Sequence, residues 1–439
     1  MKTLSRALPA TRSPPSPMRI RPESVAFIFL LAVLSALPAL ATDMSLPALT
    51  QIGASLQVSP SRAALTLSVF LVGFAIAPIA YGPLADRYGR RPVLLFGSTL
   101  FTLASAACAM APTLEALLAF RAIQGVGAGA GMVMSLTIVR DLFEGQFARA
   151  RLSYVATVRI VAPMIAPTLG GWVLVMFDWR AIYLFMTIAG AVVTLAVYLG
   201  LPESRPASTM LKSLSVSALA KTYKRVISHP VAFGNAAVNA LTFGCQFAYI
   251  TGSPLLMMET LGMSAQGFGL VFAGTAFGIM LASILNGRLN TRGVSPHRLL
   301  KVGLGLSSGT SLVLAIMAFT NTLPLALLIP VLMVNTFSFG LIAPNASHAA
   351  VEPVPEAGGV ASGVVGALMM SVGAVSGSLV TFFYDGHTAR AMMGVMLGCA
   401  LLALSIYTFW VRPHDRRWRA AKAAEPVAAT HAGGTTSAR

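Results

Sequence analysis

About twelve runs of roughly twenty mostly apolar residues, parted by short polar turns, leave this 439-residue chain few ways to fold. They lie near 24–42, 62–82, 92–111, 116–138, 153–176 and 180–200, and again near 231–253, 266–287, 299–319, 323–345, 359–383 and 390–411. The chain is 56% hydrophobic and 10% charged, whereas a soluble domain carries about 25% charged residues. Backbone groups in hydrocarbon must bond internally, and the runs lack strand-length alternation, so each run is expected to be a helix. The predicted fold class is an all-α membrane protein with twelve transmembrane helices.

Net charge is +17, but its placement argues against nucleic acid. All but five of the 31 Lys and Arg fall in tails and turns on one side of the predicted bundle; Arg62, Arg180 and Arg390 lie opposite, and Arg121 and Arg159 lie within spans. That asymmetry predicts an orientation with both termini in the cytoplasm, and anionic lipid as the partner of the basic surface. Cys108, Cys245 and Cys399 sit inside spans and read as small core hydrophobes. The first 22 residues, basic and rich in proline, lack the apolar core of a cleavable signal.

A polar insert divides the runs six and six. The expected organisation is a basic tail (1–23), a first six-helix half (24–201), a cytoplasmic linker (202–230) with an amphipathic helix over 211–227, a second half (231–411), and a basic then low-complexity tail (412–439). The far tail reads as disordered. Two pseudo-symmetric halves place a substrate site between them, near the midplane.

Charges inside a bilayer cost at least about 2.5–3.5 kcal/mol each and mark functional candidates. Asp43 ends the first span and is the leading proton or substrate site; its plainer reading is an interfacial charge that closes the helix. Arg121 lies deep in the fourth span, with Gln124 one turn on, and its plainer reading is a structural arginine held by carbonyls or by Gln124. Arg159, in the inner part of the fifth span, reads as reaching back to the cytoplasm. Burial penalises an ionised carboxylate and a nearby arginine favours it, so a change of pairing can load or release a proton. Phe74, Tyr81, Phe243, Phe247, Tyr249 and Phe272 are candidates to line an apolar cavity, with Tyr249 and Ser253 preferred. No nucleotide-binding loop, metal-ligand cluster or catalytic triad is evident, so neither an enzyme nor a cofactor is expected.

The turn Gly82-Pro83-Leu84-Ala85-Asp86-Arg87-Tyr88-Gly89-Arg90-Arg91-Pro92 resembles the signature loop between the second and third helices of major facilitator superfamily transporters. Gly287, Leu289 and Arg292 echo its spacing in the second half without the aspartate. Arg121-x-x-Gln124-Gly125 resembles the fourth-helix motif of proton-coupled members, in which the arginine is implicated in proton transfer. The segment holding Pro163, Pro167, Gly170 and Gly171 resembles the fifth-helix antiporter motif, with Ala166 where the family often carries glycine.

Asp43-x-x-Leu46-Pro47-Ala48 resembles the bicyclomycin and chloramphenicol resistance group of drug:proton antiporters, with Ser45 in place of its usual tyrosine. Tyr249-Ile250-Thr251-Gly252-Ser253-Pro254 and the stretch from Pro344 to Gly358 are similar to the same group. The resemblance implies a monomeric twelve-helix exporter of small, largely apolar drugs, powered by protons, in a bacterial inner membrane. It also implies that Asp86 lies near Gly358–Ala361 and that Arg90 pairs with Asp141 to close the cytoplasmic side. The rival readings are a carrier of a physiological metabolite and a receptor that transports nothing.

Overall fold

The computed structural model describes residues 20–204, 216–322 and 324–433, and among them fifteen α-helices and no strand. The helices are α1 (Val25–Asp43), α2 (Leu49–Ser55), α3 (Pro60–Tyr88), α4 (Arg90–Ala109), α5 (Leu114–Leu142), α6 (Gly145–Met176), α7 (Trp179–Gly200), α8 (Val216–Ser228), α9 (Pro230–Pro254), α10 (Ala265–Thr291), α11 (Pro296–Phe319), α12 (Leu325–Val351), α13 (Gly358–Phe383), α14 (Arg390–Ser405) and α15 (Arg412–Gly433). Their starts follow local chemistry: the hydroxyls of Ser24, Ser59, Thr113, Ser264 and Ser295 and the carboxylate of Asp178 accept from free N–H groups in the first turn.

Among the described residues, eleven helical segments are long and apolar enough to cross a membrane. The expected twelfth, α9, falls short for a reason of composition. Asn235, Asn239, Thr242, Gln246 and Tyr249 recur every three or four residues, so they form one stripe, and all are buried. The stripe has partners within the bundle: Asn239 donates to Ser347 Oγ at 2.8 Å, and the Tyr249 hydroxyl lies 2.9 Å from Thr275 Oγ1. The segment runs through the interior and shows it by its polarity.

Helix pairing repeats between the two sets of six. In the first, α1 packs on α6, α3 and α4 on α5, and α4 on α7; in the second, α9 packs on α13, α10 and α11 on α12, and α11 on α14. Across the seam α3 meets α13 and α6 meets α10, the two contacts that a two-fold axis would exchange. The part of the linker expected as helix is α8 from Val216 onward; 205–215 lie outside the described residues, as do 1–19. The C-terminal tail departs from its expected disorder, because α15 continues the last span as helix to Gly433. Arg419, paired along the helix with Asp415 at 3.1 Å, ties it down through Glu352 at 3.0 Å.

Small residues set how closely the helices approach. A Cβ on Gly125 would lie 2.1 Å from the Phe70 carbonyl oxygen, and one on Gly73 1.9 Å from that of Ala122, so α3 and α5 cross backbone to backbone. By contrast Gly82 and Gly287, which match in the two halves, have open space where a Cβ would stand. Gly125→Ala is therefore expected to lower the thermal stability of the purified protein, by about 1–3 kcal/mol. Gly287→Ala should leave stability unchanged or slightly raised, since alanine is the better helix former. Equal melting shifts for the two variants, read by scanning fluorimetry in detergent, would remove the proposed contact.

Candidate functional site

A cavity of about 330 Å³ lies at the seam. Its wall comes from the first, second, fourth and fifth spans of each half: α1, α3, α5 and α6, and α9, α10, α12 and α13. Its largest side chains are aromatic and thioether: Phe70, Phe74, Phe243, Phe247, Phe272 and Phe339, with Met132, Met369 and Met370. Polar groups are few, namely Ser35, Thr42, Asp43, Arg159, Gln246 and Thr275. Such a cavity matches the usual form of a small-molecule site, an apolar hollow of roughly 300–1,000 Å³ with sparse polar anchors. A larger groove of about 770 Å³ between α3 and α13 is lined by outward-facing Val72, Val375, Leu379 and Phe382, so it belongs to the lipid-facing surface.

Asp43 closes α1 and is 5% exposed. Its carboxylate accepts a bond from the Thr42 hydroxyl at 3.1 Å and has no ion pair among the described residues. The backbone there is held from two sides. Gly170 of α6 presses on the Met44 carbonyl, where a Cβ would come within 2.1 Å. Arg121 Nη1 donates to the Ala41 carbonyl at 3.0 Å.

Arg121 itself faces away from the cavity, sealed inside the first half. Its Nε donates to the Thr66 carbonyl at 3.2 Å and its Nη1 also to Gln124 Oε1 at 2.7 Å, while Gln124 donates to Ser105 Oγ at 2.7 Å. The guanidinium carbon lies 4.5 Å from the Phe70 ring centroid, and Phe70 in turn lines the cavity. The arginine thus joins α5 to α1 and α3 and touches the cavity only through Phe70 and the α1 terminus.

Arg159 lies elsewhere than its sequence reading. It lines the cavity with Ile160 and Pro163, which share one face of α6. The spacing carried the signal: Arg159 precedes Pro163 by four residues, and that interval aligns side chains on a helix. The phenylalanine pairs 70/74 and 243/247, also four apart and stacked at 6.1 and 6.0 Å, are a second such mark. Apart from that spacing, Phe70, Phe339 and Gln246 carry no mark in the sequence that singles them out for the cavity. Tyr249 and Ser253 are buried but do not line the cavity: Tyr249 stacks behind Phe272 at 5.9 Å, and Tyr81 bonds instead to the Val126 carbonyl.

Of the fifth-span motif, Pro163 faces the cavity, while further along α6 meets α10: a Cβ on Gly269 would lie 3.1 Å from Thr168, and one on Gly171 3.4 Å from Ala265 O. Pro167 is buried within the same stretch.

The predicted turn after the second span is almost all helix. The connection between α3 and α4 is the single residue Gly89, at φ 95°, a conformation glycine adopts without strain. Arg90 then bridges two acids, Asp86 and Asp141, each at 2.8 Å. Glu203, just beyond α7, was not anticipated. Its two oxygens accept the Arg90 and Arg91 amides at 2.9 and 3.0 Å, placing a carboxylate on the α4 N-terminus. Arg87 is exposed over the Tyr88 ring. Across the seam at this end, α13 approaches α3 at Pro78, whose carbonyl would lie 2.9 Å from a Cβ on Gly363. At the opposite end, Thr50 bonds Glu259.

Residues 31–378 match the family model described as Major Facilitator Superfamily. The chain is 28% identical to the "Bicyclomycin resistance protein homolog" of Haemophilus influenzae, over 87% of this chain and 95% of that protein. It is 31% identical to the "Uncharacterized MFS-type transporter YdgK" of Bacillus subtilis, over 87% of this chain and 94% of that one. In shape it is similar to a bacterial homolog of the human lysosomal transporter Spinster in an inward-facing form, with a TM-score of 0.70, 13% identity, and coverage of 88% of this chain and 97% of the other. Cavity, paired helix sets and sequence agree, and the chain belongs to the major facilitator superfamily as a multi-pass membrane transporter.

Proposed function

We propose that this protein exports small, largely apolar compounds, of the phenicol or bicyclomycin kind, in exchange for protons across a bacterial inner membrane. The observation that carries the reading is one buried carboxyl, Asp43, opening into a phenylalanine- and methionine-lined cavity between the halves. The relative named for bicyclomycin resistance supports it. Basic residues gathered at one end support cytoplasmic termini.

In this mechanism substrate occupies the cavity while Asp43 is ionised. A proton from outside then takes the carboxyl and displaces it. Arg121 is a positioning residue: through the Ala41 carbonyl it fixes the α1 end that carries Asp43. Rocking of one half on the other alternates access, and the Arg90 bridge with Asp86 and Asp141 is the latch of the cytoplasmic end. One proton crossing 100 mV supplies about 2.3 kcal/mol, and a pH difference adds to it.

In proteoliposomes with an imposed pH gradient, wild type should accumulate chloramphenicol or bicyclomycin, and Asp43→Asn should lose at least about tenfold of that uphill flux while retaining downhill exchange. Uphill flux at the wild-type rate in the variant would sink the assignment. Flux without any proton dependence would mark a facilitative carrier, and no flux for any compound a receptor. For the latch, Arg90→Ala should slow transport more than Arg87→Ala, with both proteins recovered from the membrane in equal amounts. The reverse order would remove Arg90 from the gate.

A further inference from the structure

Among the charged side chains of the described residues, two reach the cavity, Asp43 and Arg159, and they do not pair with each other. The contrast with Arg121 is sharp. That guanidinium is held by two carbonyls and Gln124, whereas Arg159 has no hydrogen bond, ion pair or ring contact among the described residues. Its side chain is part of the wall of the hollow. An arginine carries five N–H donors in a planar fork suited to a carboxylate, and leaving them unmet inside a bilayer is costly.

The two charges stand at different depths. α1 and α6 are the first and fifth spans, so they run in the same direction, and they pack together. Gly170 marks the level of Met44, next to Asp43. Arg159 lies eleven residues earlier on α6, about 16 Å of helical rise at 1.5 Å per residue. Six phenylalanines belong to the wall of the same cavity.

We propose that the preferred substrates are zwitterionic aromatic amphiphiles, with an amine at Asp43, a carboxylate on Arg159 and the ring system among the phenylalanines. This assignment rests on the exchange mechanism above and extends its substrate class beyond the neutral phenicols and bicyclomycin. The charges balance in that scheme. With Asp43 ionised, the empty cavity is net neutral but dipolar, and a zwitterion answers both ends. Protonating Asp43 leaves the amine without a counter-charge, so the proton expels the cargo. A purely anionic ligand would instead bind better to the protonated cavity and so travel with the proton.

The experiment compares ciprofloxacin, a zwitterion near neutral pH, with its ethyl ester, which keeps the amine and lacks the carboxylate. Binding to purified full-length protein in detergent is read at pH 7 by isothermal titration, after each variant is shown to be monodisperse. Wild type should bind the acid about tenfold tighter than the ester, as expected for a bidentate arginine–carboxylate contact out of water. Arg159→Gln should bring the ratio within about twofold, and Arg159→Lys, which keeps the charge but loses the fork, should fall between.

A wild-type ratio near one, no saturable binding of either compound, or an unchanged ratio in Arg159→Gln overturns the proposal. The wild-type comparison decides even where a variant fails to fold. Proton-driven chloramphenicol flux with no preference for the acid would defeat this inference alone. Acid preference lost in Arg159→Gln without flux of any drug would defeat the transport reading and leave the site standing.

Discussion

Lipid hydrocarbon offers no hydrogen-bond partners, and every polar group in this molecule is arranged around that fact. The backbone answers it by being helical almost throughout. Side chains answer it by turning inward, as the stripe on α9 does, or by finding carbonyls, as Arg121 does in the first half. Asn335 plays the corresponding part in the second half, donating to Thr310, Ser311 and the Ser307 carbonyl. The cavity gathers two charged groups that have few such partners. Asp43 keeps one hydroxyl as partner and Arg159 none among the described residues, and both open into the same hollow.

The hollow exists because packing around it alternates between two regimes. Glycines bring α3 onto α5 and α6 onto the end of α1 with no room for a single added carbon. Large aromatic side chains stand off across the seam and leave space between them. Contacts on either side of the cavity, Pro78 against Gly363 and Gly171 against Ala265, hold the halves in register. The seam is thus tight at its ends and open at its middle, the geometry that alternating access exploits. At the basic end, Arg90 and the carboxylates around it join α3, α4, α5 and the segment after α7 into one unit, so movement there is shared by four elements.

Much of this was legible before any coordinates. Run length and composition lead to helices, and the six-and-six division leads to halves. The pairing of Arg90 with Asp141 was implied by the resemblance of the turn to the family's signature loop. Less legible were groups whose meaning depends on a distant neighbour. Glu203 carries no local pattern, and its role appears only because α7 ends beside the start of α4. Gly82 and Gly89 look alike as turn residues, yet one has open space in a helix and the other makes the turn with a positive φ.

Sequence alone determined the fold class, the spans and which few charges would be forced into the bilayer, because water's absence penalises alternatives residue by residue. It could not assign those charges to partners. Arg121 and Arg159 are the same residue type in neighbouring spans, and only tertiary packing decides that one is sealed by carbonyls while the other faces the cavity. Helix rotation settles it. A span apolar on nearly every side can turn about its axis at little cost until glycine contacts and neighbouring helices lock it, so the direction in which a lone charge points belongs to the assembled bundle.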